Sequence, residues 1–327
     1  MLQLIRALAL SALAGLALAA TPASAQTNPL AGQTIKFYVG AAPGGPVELY
    51  ARILGDYMSQ ALGANIVVET RPGANGVVAA QFVQDQPADG HAVWVATQSM
   101  IEINPFVYAD LRWKIDDFIP VIKGVEAPIV LVVNPEVPAK TLPEVIAWAK
   151  ANPGKLSISS YSPGTPGHFL GVQMNERFGL DFAQVPYKGS APQITDTLGG
   201  YSKIGFFQTA PVIPQLKAGA LRAIAVTGAT RFSPMPDTPT FTELGYPDFL
   251  ATVWYGLLMK KGTPPDIVAR IMAAAKAAHA DAKVRAALDP LGLDVVAVTG
   301  DNFGKAIHAG ADHWGAIVKK TGFKASE

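Results

Sequence analysis

Twice along the chain, short β-rich runs alternate with longer stretches of helical spacing, and that alternation restricts the fold to the α/β class. Residues 34–39 form a β-rich run that ends in Gly40-Ala41-Ala42-Pro43-Gly44-Gly45. Beyond it, Leu49, Ile53, Leu54, Tyr57, Met58 and Leu62 recur with the period of a helix. A strand at 66–68, a turn at 71–76, a helix at 77–83 and a strand at 92–96 complete a βαβαβ opening. Residues 129–133 are a fully apolar strand, closed by Asn134-Pro135 and Val137-Pro138. Thr141 with Glu144 three residues on reads as a capping box and opens a second series. That series places strands at 156–160, 183–186, 204–207 and 221–226, with helices at 166–178, 192–198 and 211–216. Proline-rich residues 233–239 break it, 252–259 is again strand-like, and helices follow at 264–279, 282–288 and 302–319. Short loops favour a mostly parallel sheet. Two α/β units joined by two strand-like crossings predict two lobes, one from residues 26–127 with 252–327 and the other from 128–251.

Residues 1–25 read as an export signal. Arg6 supplies the positive start, 7–19 is apolar and uncharged, and Ala23-Ser24-Ala25 is an A-x-A cleavage site, so the mature chain is expected to begin at Gln26 in the periplasm. The apolar run is shorter than the ~20 residues a membrane span needs. Cleavage removes one basic residue from 26 Lys+Arg against 25 Asp+Glu, which leaves 25 of each. A net charge near zero argues against a nucleic-acid partner. The absence of cysteine excludes disulfides, thiolate nucleophiles and cysteine metal sites together. Stability then rests on burial, and a chain of this length buries about 75% of its unfolded surface.

Three loops follow strands: residues 40–46, 97–102 and 160–167. The first and third are rich in Gly and Pro and each leads into a helix. A helix start offers unpaired N–H groups and the positive end of a dipole, so two such loops can hold a carboxylate without Arg or Lys. Ordinary strand-to-helix turns have the same composition. A nucleotide reading lacks both the G-x-G-x-x-G spacing and a Walker lysine. A hydrolase reading has Ser160, Ser162 and His168 near one another, but no G-x-S-x-G and no paired base. His308 and His313 are five apart and fall on different helix faces, which does not suit a metal. Asp116-Asp117 reads as a solvated turn. Tyr187-Lys188-Gly189 can present a basic group or lie at the surface, and Trp254-Tyr255 either packs a core or lines a cleft.

Several strings, in order and spacing, resemble the Bug (TctC-type) periplasmic receptors of tripartite tricarboxylate transporters. They include Pro43-Gly44-Gly45-Pro46 with Ala51-Arg52, Val68-Glu69-Thr70-Arg71-Pro72-Gly73-Ala74, Pro87-Ala88-Asp89-Gly90 and Ile103-Asn104-Pro105. Ala151-Asn152-Pro153-Gly154-Lys155-Leu156, Val185-Pro186-Tyr187-Lys188-Gly189, Lys217-Ala218-Gly219, residues 221–226 and Trp254-Tyr255-Gly256-Leu257 continue the match. The resemblance implies a two-lobed, Venus-flytrap fold of the type II periplasmic binding protein class. It implies a small carboxylate ligand in the interlobe cleft, held mainly by backbone amides and water. It maps binding loops onto Ala41, Ala42, Gly44 and Gly45 and onto Ser162, Gly164, Thr165 and His168; with Thr97 and Ser99 of the loop at 97–102, Tyr187 and Gln208, these are the expected ligand-binding residues. It implies membrane permease subunits as partners; a sensor kinase is the alternative partner, no cofactor is expected, and the residues themselves offer neither a metal-ligand set nor a nucleophile–base pair. Glu48 stands where Asp is usual, Ala41 where an aromatic is common, and Gln208 where Asp is frequent. A wider pocket disfavouring an ammonium follows, unless Tyr161 or Phe207 refills it.

Overall fold

The computed structural model describes residues 28–325. The expected export signal and the expected start at Gln26 lie outside the described residues. In the first half, β1 (Thr34–Val39), α1 (Pro46–Leu62), β2 (Asn65–Thr70), α2 (Val77–Asp85) and β3 (Ala92–Thr97) form a parallel trio with β1 in the middle. All six residues of β3 are buried, as a strand covered on both faces requires. Pro46 opens α1, where its missing N–H costs nothing, and Gly63 closes it in a left-handed conformation. The inward stripe of α1 is Tyr50, Leu54 and Met58, each fully buried. A π-helical turn, Ser99–Ile103, leads from β3 into the short α3 (Asn104–Val107).

The second half holds α4 (Leu142–Lys150), β5 (Ser157–Ser160), α5 (Pro166–Phe178), β6 (Ala183–Pro186), α6 (Ser190–Leu198), β7 (Ile204–Gln208), α7 (Thr209–Lys217) and β8 (Arg222–Val226). Helix α4 starts at the expected capping box: Glu144 N–H donates to the Thr141 hydroxyl, and Thr141 N–H donates back to Glu144. Strand β5 pairs in parallel with β6 and β7. After β9 (Thr252–Lys260) the chain closes with α8 (Pro265–Ala280), α9 (Ala282–Leu288), β10 (Asp294–Thr299) and α10 (Gly300–Thr321).

Between the trios runs β4 (Phe118–Val133), a strand of 16 residues. Its residues from Phe118 to Pro128 pair with β9, and β10 joins that stretch from Ile122 to Glu126. From Ile129 its partner becomes β7, and β8 pairs with it from Val130. All these pairings, and that of β9 with β3, are antiparallel. The expected mostly parallel sheet is therefore corrected: parallel trios stand at each end and an antiparallel middle joins them. The reason is that the chain passes between the halves along β4 and returns along β9 without a helical crossover, and only antiparallel neighbours permit that. The largest hydrophobic cluster runs through both halves, from Phe37 and Tyr50 past Ile129 and Leu131 to Phe169 and Phe206. Among the described residues no helix is long and apolar enough to cross a membrane.

Thr227 stitches the two passages together. Its hydroxyl accepts from Ile129 N–H at 2.9 Å and contacts the Ala251 carbonyl at 2.5 Å, while Ala251 N–H donates to the Thr227 carbonyl at 3.0 Å.

Candidate functional site

Strand register places four strand ends around the passage between the halves. Gln208, the last residue of β7, pairs with Ile129, next to the Pro128–Thr252 pair that begins β9. Thr97, the last residue of β3, pairs with Tyr255 on β9. Val39 at the end of β1 lies beside Val95, and Ser160 at the end of β5 lies beside Phe206. The carboxyl ends of β1, β3, β5 and β7 thus flank the crossing from both sides. Ligands of open α/β sheets bind beyond such ends.

The first loop gives α1 an internal anion. Glu48, at the third position of the helix, accepts the Gly44 N–H at 2.6 Å, and its other oxygen accepts from Arg52 at 2.9 Å. The Gly44 N–H first, and Arg52 next, hold the Glu48 carboxyl below the usual carboxylate range. The Gly44 amide is therefore committed within the protein. Ala42 and Gly44 are exposed, Gly45 caps α1, and Ala41 is half-buried against the cores on both faces of the first half.

The third loop is also self-satisfied in part. His168 Nδ1 accepts the Gly164 N–H at 3.3 Å, and the Thr165 hydroxyl donates to the Ser162 carbonyl at 2.7 Å. Burial holds His168 below the usual imidazole value, so the ring is neutral and can accept. The ring stands 4.8 Å from that of Phe323, beyond α10, which brings this loop against the opposite half. Ser162 itself is half-buried. In the second loop, the buried hydroxyls of Thr97 and Ser99 lie 3.3 Å apart.

Two expected residues are engaged elsewhere. The Tyr187 hydroxyl donates to Asp196 on α6 at 2.9 Å, and burial, then Asp196, pushes its pKa up to about 12. Gln208 accepts from the Ser190 hydroxyl at 3.0 Å, which leaves its amide NH2 at the crossing. The open question at 254–255 resolves with one residue each way. Trp254 packs on Phe303 and donates to buried Glu102 at 2.8 Å, whereas Tyr255 lines a cavity. Phe207 belongs to the core of the second half with Val130 and Val132, so it does not fill the space beside Ala41.

That cavity is bounded by Pro46 and Tyr255 from the first half and by Gln208, Thr209 and Pro211 from the second. It encloses only about 10 Å³, the room of one water. Tyr161 stands beside Tyr255: burial first, and Tyr161 second, push the Tyr255 hydroxyl pKa up. A β-carbon at position 167 would lie 2.6 Å from Tyr161 Cε1, so glycine there lets the ring lie on the start of α5. A second cleft, about 330 Å³, opens on the other face of the crossing between Trp254, Trp314, Glu102 and Leu250.

Thr209 and the commitment of Gly44 escaped the sequence reading. The second carried a signal, because Glu at the third position of a helix reaches back to N–H groups before it. Asn104 has a structural role: it donates to the Asn75 carbonyl and accepts from the Asn75 side chain, both at 3.0 Å, pinning the turn after β2. Among the described residues no group of three His, Cys, Asp or Glu is placed to hold a metal.

The α/β architecture with two halves meeting over a site at strand ends is the two-lobed fold of type II periplasmic binding proteins. The chain belongs to the tripartite tricarboxylate transporter family receptors, TctC, whose family model matches residues 50–323. Protein BugT of Bordetella pertussis is 31% identical over 307 residues, 93% of this chain and 94% of that protein. A solved periplasmic transporter is 37% identical, with a TM-score of 0.81 over 89% of this chain and 98% of its own. R. palustris Rpa4515, solved with adipate, is 27% identical, with a TM-score of 0.82 over 89% of this chain and 98% of its own.

Proposed function

We propose that this chain captures a small organic carboxylate outside the cytoplasmic membrane and delivers it to the permease subunits of a tripartite tricarboxylate-type transporter. The lobes are residues 26–127 with 252–327, and 128–251. The hinge lies where β4 changes partners after Pro128 and where the chain enters β9. The observation that carries this reading is the convergence of four strand ends on that crossing, in a family where one solved relative holds adipate.

The ligand sits between the first loop (Ala41, Ala42, Gly44, Gly45), Thr97 and Ser99, and the Ser162–His168 loop, with Gln208 at its side. Because Glu48 and His168 already occupy the Gly44 and Gly164 amides, the amides left for a carboxylate are those of the first turns of α1 and α5. Arg52, the cation of the first helical turns, is held by Glu48, which suits a site that binds an anion through dipoles and hydroxyls. A thermal-shift screen of mono-, di- and tricarboxylates with amino acids as controls tests the reading. A cognate acid at 100 times its Kd adds about 2.7 kcal/mol and raises Tm. A screen in which only amino acids raise Tm contradicts it.

A further inference from the structure

Two hydroxyls at the crossing are buried and poorly partnered. Tyr161 is the first residue beyond β5 and Thr209 the first beyond β7. They are 6% and 1% exposed; the Thr209 hydroxyl makes no hydrogen bond, and the Tyr161 hydroxyl, with Thr165 and the Gly167 amide beside it, makes none of good geometry. Buried polar groups are nearly always satisfied, because an unmet one forfeits its bonds to water. The two share a neighbour from the opposite half: Tyr255 stands beside Tyr161 and lines the small cavity with Thr209. The neighbouring donors are directed elsewhere or poorly aligned. The Thr165 hydroxyl donates to Ser162, and Gln208 accepts from Ser190. None of the residues lining the cavity is Lys, Arg or His.

We propose that Tyr161 and Thr209 are specificity-determining donors whose hydroxyls bind the carboxylate oxygens of the ligand beside Tyr255. This rests on the carboxylate reading of the same cleft. With neutral donors in place of a cation, recognition depends on where the oxygens fall, since a hydroxyl bound to a charged acceptor is strong only in good geometry. A site built to hydrogen-bond one group rejects an analogue lacking it more sharply than an apolar wall rejects a misfit. A diacid is therefore preferred to the acid of equal length with a methyl in place of the carboxylate at this end.

The test uses Tyr161→Phe and Thr209→Val, each of which removes one hydroxyl at nearly constant volume. Calorimetric titration with dicarboxylates from succinate to suberate gives Kd, and melting without ligand gives Tm. The expected result is a ligand-free Tm equal to or above that of the unmodified protein, because an unsatisfied oxygen has left the interior. With it, Kd for the best-bound diacid rises about tenfold or more in each variant. A ligand-free Tm that falls while Kd is unchanged overturns the proposal, because the hydroxyls then serve the fold. An unmodified protein that binds no acid of the series overturns the carboxylate reading and this inference with it. The two failures are distinguishable, since one is seen in the unmodified chain and the other only in the variants.

Discussion

Glu102 should make this protein less stable as pH rises from about 4.5 to 7, and Glu102→Gln should remove the effect. The side chain is 3% exposed behind the crossing and accepts from Gln98 at 2.7 Å and from Trp254 at 2.8 Å. Burial pushes its pKa up to about 7, against the opposing pull of Gln98, Trp254 and Lys123. An unfolded glutamate titrates near 4.5, so the folded state holds a proton that the unfolded state loses between about pH 4.5 and 7. Stability from this group is present in acid, falls across that window and is level above it. The loss is about 3 kcal/mol. Glutamine keeps an oxygen for Trp254, and its new NH2 finds the Gln98 carbonyl, now buried without a partner, once the Gln98 amide turns over. Glu102→Gln should match the unmodified protein near pH 4.5 and exceed it at pH 8 by about 3 kcal/mol, roughly 5 °C in Tm at this size. Neutral buried His168 and His279, held below the usual imidazole value by desolvation, lose stability in the opposite direction as pH falls below about 6.5. The readout is therefore the difference between the two proteins in urea melts from pH 4.5 to 8. A pH-independent difference, or a variant weaker at pH 8, refutes the reasoning.

Gly124→Ala should prevent stable folding, because its β-carbon would lie 2.1 Å from the Tyr50 hydroxyl and 2.2 Å from His279 Nε2; soluble yield and circular dichroism check it. Thr227→Val strands Ile129 N–H and the Ala251 carbonyl and should cost about 2 kcal/mol or more in a urea melt. Ala41→Phe fills space beside the first loop and should weaken the longest acid of a C4–C8 series most; unchanged affinity for that acid contradicts a wide pocket. Small-angle scattering should show a smaller radius of gyration with a saturating cognate acid than without it, and an equal radius counts against hinge closure.

The helices and the short parallel strands were legible because each has one dominant period. Leu54, Met58 and Leu62 mark α1, and the Thr141–Glu144 pair fixed the start of α4. The first eleven residues of β4 were not legible. Pro120, Lys123, Gly124 and Glu126 break the alternation there, and the ladder to β9 shifts register twice, between Pro120 and Ile122 and between Lys123 and Val125. Strand β10 was hidden for a related reason: it bulges between Val295 and Val298, with Ala297 at φ +47°. The loops of the candidate site were visible from their glycines and prolines. Which of their groups stay free was not, because that depends on contacts such as His168 with Gly164 and Tyr187 with Asp196. Tyr161 and Thr209 carry no local mark as donors; their burial together arises only once β5, β7 and β9 are brought together.

The most direct test of the central claim is a crystal structure with the acid that raises Tm most. The account predicts ligand density at the crossing, between the starts of α1 and α5, with a carboxylate against Tyr161, Thr209 and Tyr255. Density confined to the 330 Å³ cleft beside Trp254 and Trp314, with the crossing empty, would contradict it.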